Sequence, residues 1–408
     1  MESPSRPVPA AFPWAEPWLT VGVTGTNGKS STTAMVAAIL GADGHPVLTA
    51  TTTGYRVGGR AAATPANWRA FLELARAADR EGCRRAAIEV TSQALARGHA
   101  KRWRFDVGVF TNLSEDHRST HGTWEHYLAS KAQLFVHLGP GRGAVLNACD
   151  PASELLDRVI PADVERRWYG APSRGPFLRA PELAAAAVEV DAAGTRITLA
   201  PSPTAARFGG ALETPMVGEV FAENALAAAL AGLAAGVPAA QIREAIAACP
   251  PPAGRFEVVA RAPTVVIDYA HAPDALTRTC AAARALAGAA RLIVVFGAGG
   301  GTDPGKRAPM GAAVAALADA AIITNDNPRD EDPQAIAADL RAGMTGGRAA
   351  IGCQLDRRAA IAEALAQARA EDVILIAGKG HERGQTIAGV TTPFSDRDVV
   401  DSLLGRRA

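Results

Sequence analysis

Short apolar runs recur along the chain, each followed by a longer stretch with helical spacing. In the first half the runs are residues 19–23, 46–50, 86–90, 106–113 and 143–147. Apolar runs of this length, bounded by polar or glycine-rich turns, predict buried strands. Between them, 31–40, 67–78 and 124–138 predict helices. Such alternation argues for a parallel sheet with crossover helices, and in such sheets ligands gather beyond the carboxyl ends of the strands. Residues 160–215 are less regular, with short alternating runs that predict a small antiparallel β insertion. An alanine-rich helix is expected over 221–235, and Pro250-Pro251-Pro252 marks a break. The second half alternates again, with strands expected at 264–268, 291–296, 320–324 and 372–377. The expected fold class is therefore α/β. A flexible tail (1–17) precedes a central P-loop domain with a mostly parallel sheet (18–250), and a C-terminal domain of Rossmann-like character (251–408) follows.

Composition narrows the class. Of 408 residues, 48% are hydrophobic and 20% charged, as in globular proteins. A net charge of +1 gives no reason to expect a nucleic-acid or membrane surface. The first seventeen residues are rich in Pro and lack the apolar centre of a signal peptide. The five cysteines (83, 149, 249, 280 and 353) are scattered without C-x-x-C spacing, so reduced thiols in a cytoplasmic protein are expected.

The candidate chemistry starts after the first strand. Gly25-Thr26-Asn27-Gly28-Lys29-Ser30-Ser31 joins an apolar strand to a helix. Backbone N–H groups and the helix N-terminus can hold phosphate oxygens, the lysine neutralises charge, and the Ser30 hydroxyl can ligate Mg²⁺. The match to G-x-x-x-x-G-K-[ST] is imperfect, because Val23 stands where the first glycine belongs. Glu89 interrupts another buried run, which is expensive without a cation partner. Ser30, Glu89 and His117 all end or follow expected strands, so topology can bring them together. The glycine loop after Phe296 lacks dinucleotide-binding spacing.

Several ordered motifs together resemble the Mur ligases. They are Gly25 to Ser30, Glu89 with Ser92, Asn112 to His117, His121-Gly122-Thr123 and Lys131. Asp268 to Leu276, Asp326-Asn327-Pro328-Arg329 and Gly378-Lys379-Gly380-His381-Glu382 narrow the resemblance to the MurE type. The resemblance implies an ATP-dependent amide-bond ligase. An acceptor carboxylate attacks the γ-phosphate, giving an acyl phosphate that the amine of an amino acid then displaces. It implies two Mg²⁺ ions, one near Ser30 and Glu89, the second near His117 and a carbamate formed by CO₂ on Lys131. Lys29 would meet the phosphates, Asn224 the adenine and Arg255 the γ-phosphate, with Asp268 and His271 near the ribose and base. Arg329 would grip the distal carboxylate of meso-diaminopimelate, beside Asp326 and Asn327, with Gly378 and Glu382 at its amino-acid end. The acceptor would meet Thr52, Thr64 and Ser92. The implied partners are small molecules acting on a monomer.

Three departures bear on the acceptor. The family's N-terminal uridine-nucleotide domain has no counterpart before the first strand, Ala66 replaces the acid or amide expected after Pro65, and Gln93 and His99 replace an expected histidine and arginine. They leave open an acceptor without a UDP handle. The alternatives are a non-catalytic ATP-binding scaffold and a folylpolyglutamate-synthase-like ligase. The latter family shares the P-loop and carbamate but lacks the motifs at 326–329 and 378–382.

Overall fold

The computed structural model describes residues 18–63, 67–114, 123–172, 175–347 and 349–406. The tail expected over 1–17, and Thr64 and His117, lie outside the described residues.

The first lobe is built on one sheet. Its strands are β1 (Leu19–Thr24), β2 (Val47–Thr51), β3 (Gly54–Val57), β4 (Arg60–Ala62), β5 (Arg85–Glu89), β6 (Val107–Phe110), β7 (Gly143–Asn147), β8 (Glu165–Gly170), β9 (Leu183–Asp191), β10 (Gly194–Leu199) and β11 (Ala211–Thr214). Their spatial order is β11-β10-β9-β8-β7-β6-β1-β5-β2-β3-β4. From β2 through β9 every neighbouring pair is parallel, and an antiparallel hairpin closes each edge. The central strands β6 and β7 are buried on both faces, which is why they read as unbroken apolar runs. The antiparallel insertion expected over 160–215 is corrected in part. β8 continues the parallel sheet, and β9 to β11 extend the same sheet rather than forming a separate one. Alternation in β10 buries Thr195, Ile197 and Leu199, which marks a one-sided strand but not the sheet it joins.

The helix Lys29–Leu40 begins two residues earlier than expected, because Gly28 takes a left-handed conformation (φ 82°) at its N-cap. Behind the sheet it meets Glu219–Ala234, a helix buried on nearly every side. Small residues allow that close approach: a Cβ on Gly232 would lie 2.8 Å from Ile39 Cγ2 and 2.9 Å from Ile242 Cδ1.

The second lobe carries β12 (Glu257–Arg261), β13 (Thr264–Asp268), β14 (Leu292–Phe296), β15 (Ala320–Ile323), β16 (Ala350–Cys353) and β17 (Val373–Ala377), in the order β12-β13-β17-β14-β15-β16. All pairs are parallel except β12 with β13. A hairpin of β18 (Gly384–Ile387) and β19 (Val390–Pro393) follows, which the sequence reading did not anticipate. None of the five cysteines forms a disulfide. Among the described residues no helix is long and apolar enough to cross a membrane.

Candidate active site

Two cavities lie at the carboxyl ends of the two sheets and share a wall. The first, of about 300 Å³, is lined by the loop from Gly25 to Lys29, by Glu89, Lys131 and Asn224, and by Arg255, Asp268 and His271 of the second lobe. The turn is tight enough to demand glycine. A Cβ on Gly25 would sit 1.9 Å from Thr111 Oγ1, and one on Gly28 would sit 2.4 Å from Asn224 Oδ1. Val23 departs from the usual pattern for a simple reason. It lies inside β1, fully buried and paired with Glu89 and Val109, upstream of the turn itself. Asn112 fixes the turn from below: its side chain accepts from Asn27 N (2.9 Å) and donates to Asn27 O (3.0 Å).

Around this turn the charged groups converge. Lys29 Nζ donates to Thr26 O and buried Lys131 Nζ to Gly25 O, each at 2.6 Å, so two ammonium groups grip adjacent carbonyls. Lys131 also lies 4.2 Å over the Tyr127 ring. Ser30 Oγ donates to Glu89 Oε2 at 2.8 Å. Glu89 accepts again from Thr52 N at 3.0 Å and Thr52 Oγ1 at 3.2 Å. These hydroxyl and amide donors meet a half-buried Glu89 carboxylate. Arg255 Nη2 reaches Ser30 Oγ at 3.3 Å across the lobes and lies 4.6 Å over the Tyr269 ring. Arg255 and Asp268 do not pair with each other; Asp268 accepts from Phe256 N (2.7 Å), Ala270 N (2.8 Å) and Thr279 Oγ1 (3.1 Å).

The glycine turn, two lysines and an arginine fit a polyphosphate. Hydroxyl and carboxylate oxygens at Ser30 and Glu89 fit a hard divalent cation. Among the described residues no three His, Cys, Asp or Glu side chains gather into a metal cluster of their own.

The second cavity, of about 570 Å³, is polar and lined by Asp326, Asn327, Arg329, Gly378 and Glu382, with Tyr269, His271 and Ala272 forming the wall it shares with the first. Arg329 adopts a left-handed conformation (φ 55°) that a non-glycine residue takes at a cost. Its N–H donates to Thr386 O at 3.0 Å, and its guanidinium donates to Gly300 O. Beneath it lies Lys379, fully buried, which donates to Glu382 Oε2 (2.8 Å) and Asn327 Oδ1 (3.1 Å). Asn327 Nδ2 donates to the same Glu382 oxygen at 2.8 Å. Burial pushes the Glu382 carboxyl up, but Lys379 and Asn327 outweigh it and hold the group below its ordinary value.

Of the residues expected from sequence, all those described line one cavity or the other except Ser30, which reaches the first through Glu89 and Arg255. The sequence reading missed Tyr269, Lys379 and Asp274, whose Oδ2 accepts from Asn27 Nδ2 at 3.0 Å. Each stands inside a motif already singled out, but only the folded contacts give it a role. His99 packs on Trp68 with ring centroids 4.4 Å apart. Burial, with Arg102 and Arg97 adding repulsion, pushes it down to about 4, so it is no substitute for an arginine.

A glycine turn suited to phosphate and a polar pocket that share a wall fit an enzyme that spends a nucleoside triphosphate to activate one small molecule for another. Comparison with known proteins specifies the class. Residues 23–232 match the Mur ligase middle domain, and residues 254–380 match the Mur ligase glutamate ligase domain. A protein of Xanthomonas campestris named UDP-N-acetylmuramoyl-L-alanyl-D-glutamate–2,6-diaminopimelate ligase is 40% identical over 94% of this chain and 77% of its own length. One of the same name from Parasynechococcus marenigrum is 38% identical over 98% of this chain and 80% of its own. A solved structure of a ligase with that name superposes with a TM-score of 0.65 at 31% identity, covering 96% of this chain and 79% of that one. The Mycobacterium tuberculosis folylpolyglutamate synthase complexed with ADP and AMPPCP shares the fold (TM-score 0.68) at 20% identity, over 96% of this chain and 92% of that one. The chain belongs to the Mur ligase family, and it is an ATP-dependent ligase that forms amide bonds.

Proposed function

We propose that the enzyme joins 2,6-diaminopimelate to the terminal carboxylate of UDP-N-acetylmuramoyl-L-alanyl-D-glutamate. ATP lies in the first cavity, with its phosphates on Gly25 to Ser30. The acceptor carboxylate attacks the γ-phosphorus, ADP leaves, and an acyl phosphate remains. The amine from the second cavity then attacks the acyl carbon and expels phosphate. Lys29 and Arg255 neutralise the transferring phosphoryl group. Mg²⁺ held by Ser30 and Glu89 would supply further charge neutralisation there. A carbamate on Lys131 would turn a buried cation into an oxygen ligand for a second ion, with His117. Arg329 grips the distal carboxylate of the amino acid, and Glu382 its ammonium end. Acceptor groups meet Thr52 and Ser92.

The observation that carries this reading is the shared wall, because an amine held beside Arg329 and Glu382 can reach a carboxyl activated in the first cavity. The test offers ATP with diaminopimelate or lysine, and acceptors with and without the UDP-sugar, read by mass spectrometry. The expected product needs diaminopimelate and the UDP-linked acceptor. In the Arg329→Ala variant the KM for diaminopimelate should rise about tenfold or more while the KM for ATP stays within about twofold. Equal effects on both substrates would remove Arg329 from the amino-acid site.

A further inference from the structure

An amino acid arrives at neutral pH as an ammonium ion, which has no lone pair to attack with. Something at the junction of the two cavities must take its proton. Among the described residues, Tyr269, His271 and Ala272 alone line both cavities. Burial raises the Tyr269 phenol, so it holds its proton near neutrality. The half-buried His271 is different. Its Nδ1 lies 2.7 Å from Tyr269 O. A carbonyl oxygen only accepts, so Nδ1 carries the hydrogen and Nε2 of the neutral ring carries the lone pair. No hydrogen-bond partner occupies Nε2 among the described residues.

We propose that His271 is the general base that deprotonates the incoming amine; this rests on the acyl-phosphate reading above. Nε2 takes one proton from the ammonium group. The freed nitrogen lone pair forms the C–N bond at the acyl carbon, and the C–O bond pair leaves with phosphate. The second nitrogen proton departs with that phosphate, and the imidazolium returns its own to solvent.

The carboxylates around the junction are poorer candidates. Glu382 is paired with Lys379 and held below its ordinary value, which makes it a weak base. Asp274 is engaged by Asn27 and by Arg278 at 3.4 Å, and Asp268 by three donors. Asp326 lies 3.7 Å from Lys379, and Glu89 is bound to Ser30 and Thr52. Asp303 caps Gly305 N at 2.9 Å. Lys306, Arg329 and Arg255 are cations, and His381 lines neither cavity.

The test separates the base from the rest of the machinery by changing the nucleophile. Hydroxylamine is largely unprotonated at neutral pH and needs no base to attack an acyl phosphate. At saturating ATP and UDP-N-acetylmuramoyl-L-alanyl-D-glutamate, His271→Gln is expected to raise the ratio of hydroxamate formed to amide formed by about thirtyfold or more, a readout that cancels any change in nucleotide binding at this cavity-lining position. With diaminopimelate its kcat should fall about a hundredfold or more, the usual scale for a lost general base. A parallel loss with both nucleophiles, or none with diaminopimelate, would overturn the assignment. Failure of the parent enzyme itself to give hydroxamate would instead sink the acyl-phosphate reading, and the base with it. His271→Asn, which keeps a small polar side chain, should behave as the Gln variant does.

Discussion

At the scale of single residues, the site divides into what a motif announces and what only packing reveals. The phosphate turn was legible because its chemistry is local: strand, glycines, Lys29 and Ser30 are adjacent in sequence, and adjacency fixes their geometry. Arg329 was legible as a charge but not in its left-handed backbone, whose N–H donates to Thr386 O, fifty-seven positions away in the chain. His99 shows the opposite case. It stands where an arginine was expected, and burial against Trp68 disfavours its charged form. This has a pH consequence. Between the ordinary value of 6.5 and about 4, the unfolded chain takes up a proton at His99 that the folded chain refuses. Stability attributable to this group therefore falls as pH is lowered through that window. His99→Phe keeps the ring packing and removes the titration. Its thermal midpoint should decline less than that of the parent between pH 6.5 and about 4. Parallel declines would mean that His99 titrates normally.

At the scale of elements, the sequence located most strands and helices and misjudged their ends. Helix Trp68–Arg80 runs past its expected limit, and Asn67 caps it by accepting from Ala70 N at 2.9 Å. Sheet membership of β9 to β11 was not legible, because alternation specifies a face and not a neighbour. Nor was the anchor of the loops around the second cavity. Arg357, on helix Arg357–Gln367, is wholly buried against Asp396, with Nε and Nη2 at 2.7 and 2.8 Å from its two carboxylate oxygens. The same guanidinium donates to Asn325 O at 3.3 Å and Ala377 O at 2.9 Å, the carbonyls just before Asp326 and Gly378. One buried cation thus ties down both strand ends that carry the second cavity. Arg357→Met should destabilise the fold by about 3–5 kcal/mol, because it strands a buried carboxylate. Arg357→Met with Asp396→Leu removes both charges and should recover most of that loss in a urea titration. The double variant should still show a raised KM for the amino acid, since the two carbonyls have lost their shared donor. A double variant no more stable than the single would show that Asp396 is not the group left unpaired.

At the scale of the whole molecule, the chemistry sits where the two lobes meet, so the relation between lobes is part of the site. Polar contacts between the lobes include Arg255 to Ser30, Arg278 Nη1 to Glu223 Oε1 at 3.5 Å, Asp274 to Asn27, and Arg261 Nη1 to Ala192 O at 3.0 Å. Asp274 holds the most informative position. It borders the second cavity, yet it bonds the glycine turn of the first, and Asn27 is itself fixed by Asn112. Glu223 is nearly buried and also faces Asn147 at 3.5 Å, so Arg278 meets a rigid partner. The second lobe is therefore registered on the phosphate turn through an aspartate and an arginine one helical turn apart. If this registration sets the distance between ATP and amine, weakening it should affect both substrates together. Asp274→Ala removes one short side chain from a half-exposed helix start, so the melting temperature should move by only about 2 °C. The KM values for ATP and for the amino acid should both rise, each about three- to tenfold, the scale of one lost hydrogen bond. Steady-state titrations of each substrate at saturating levels of the other would measure this. A change confined to the amino acid would make Asp274 a pocket residue only, and the contact with Asn27 would then carry no coupling between the lobes.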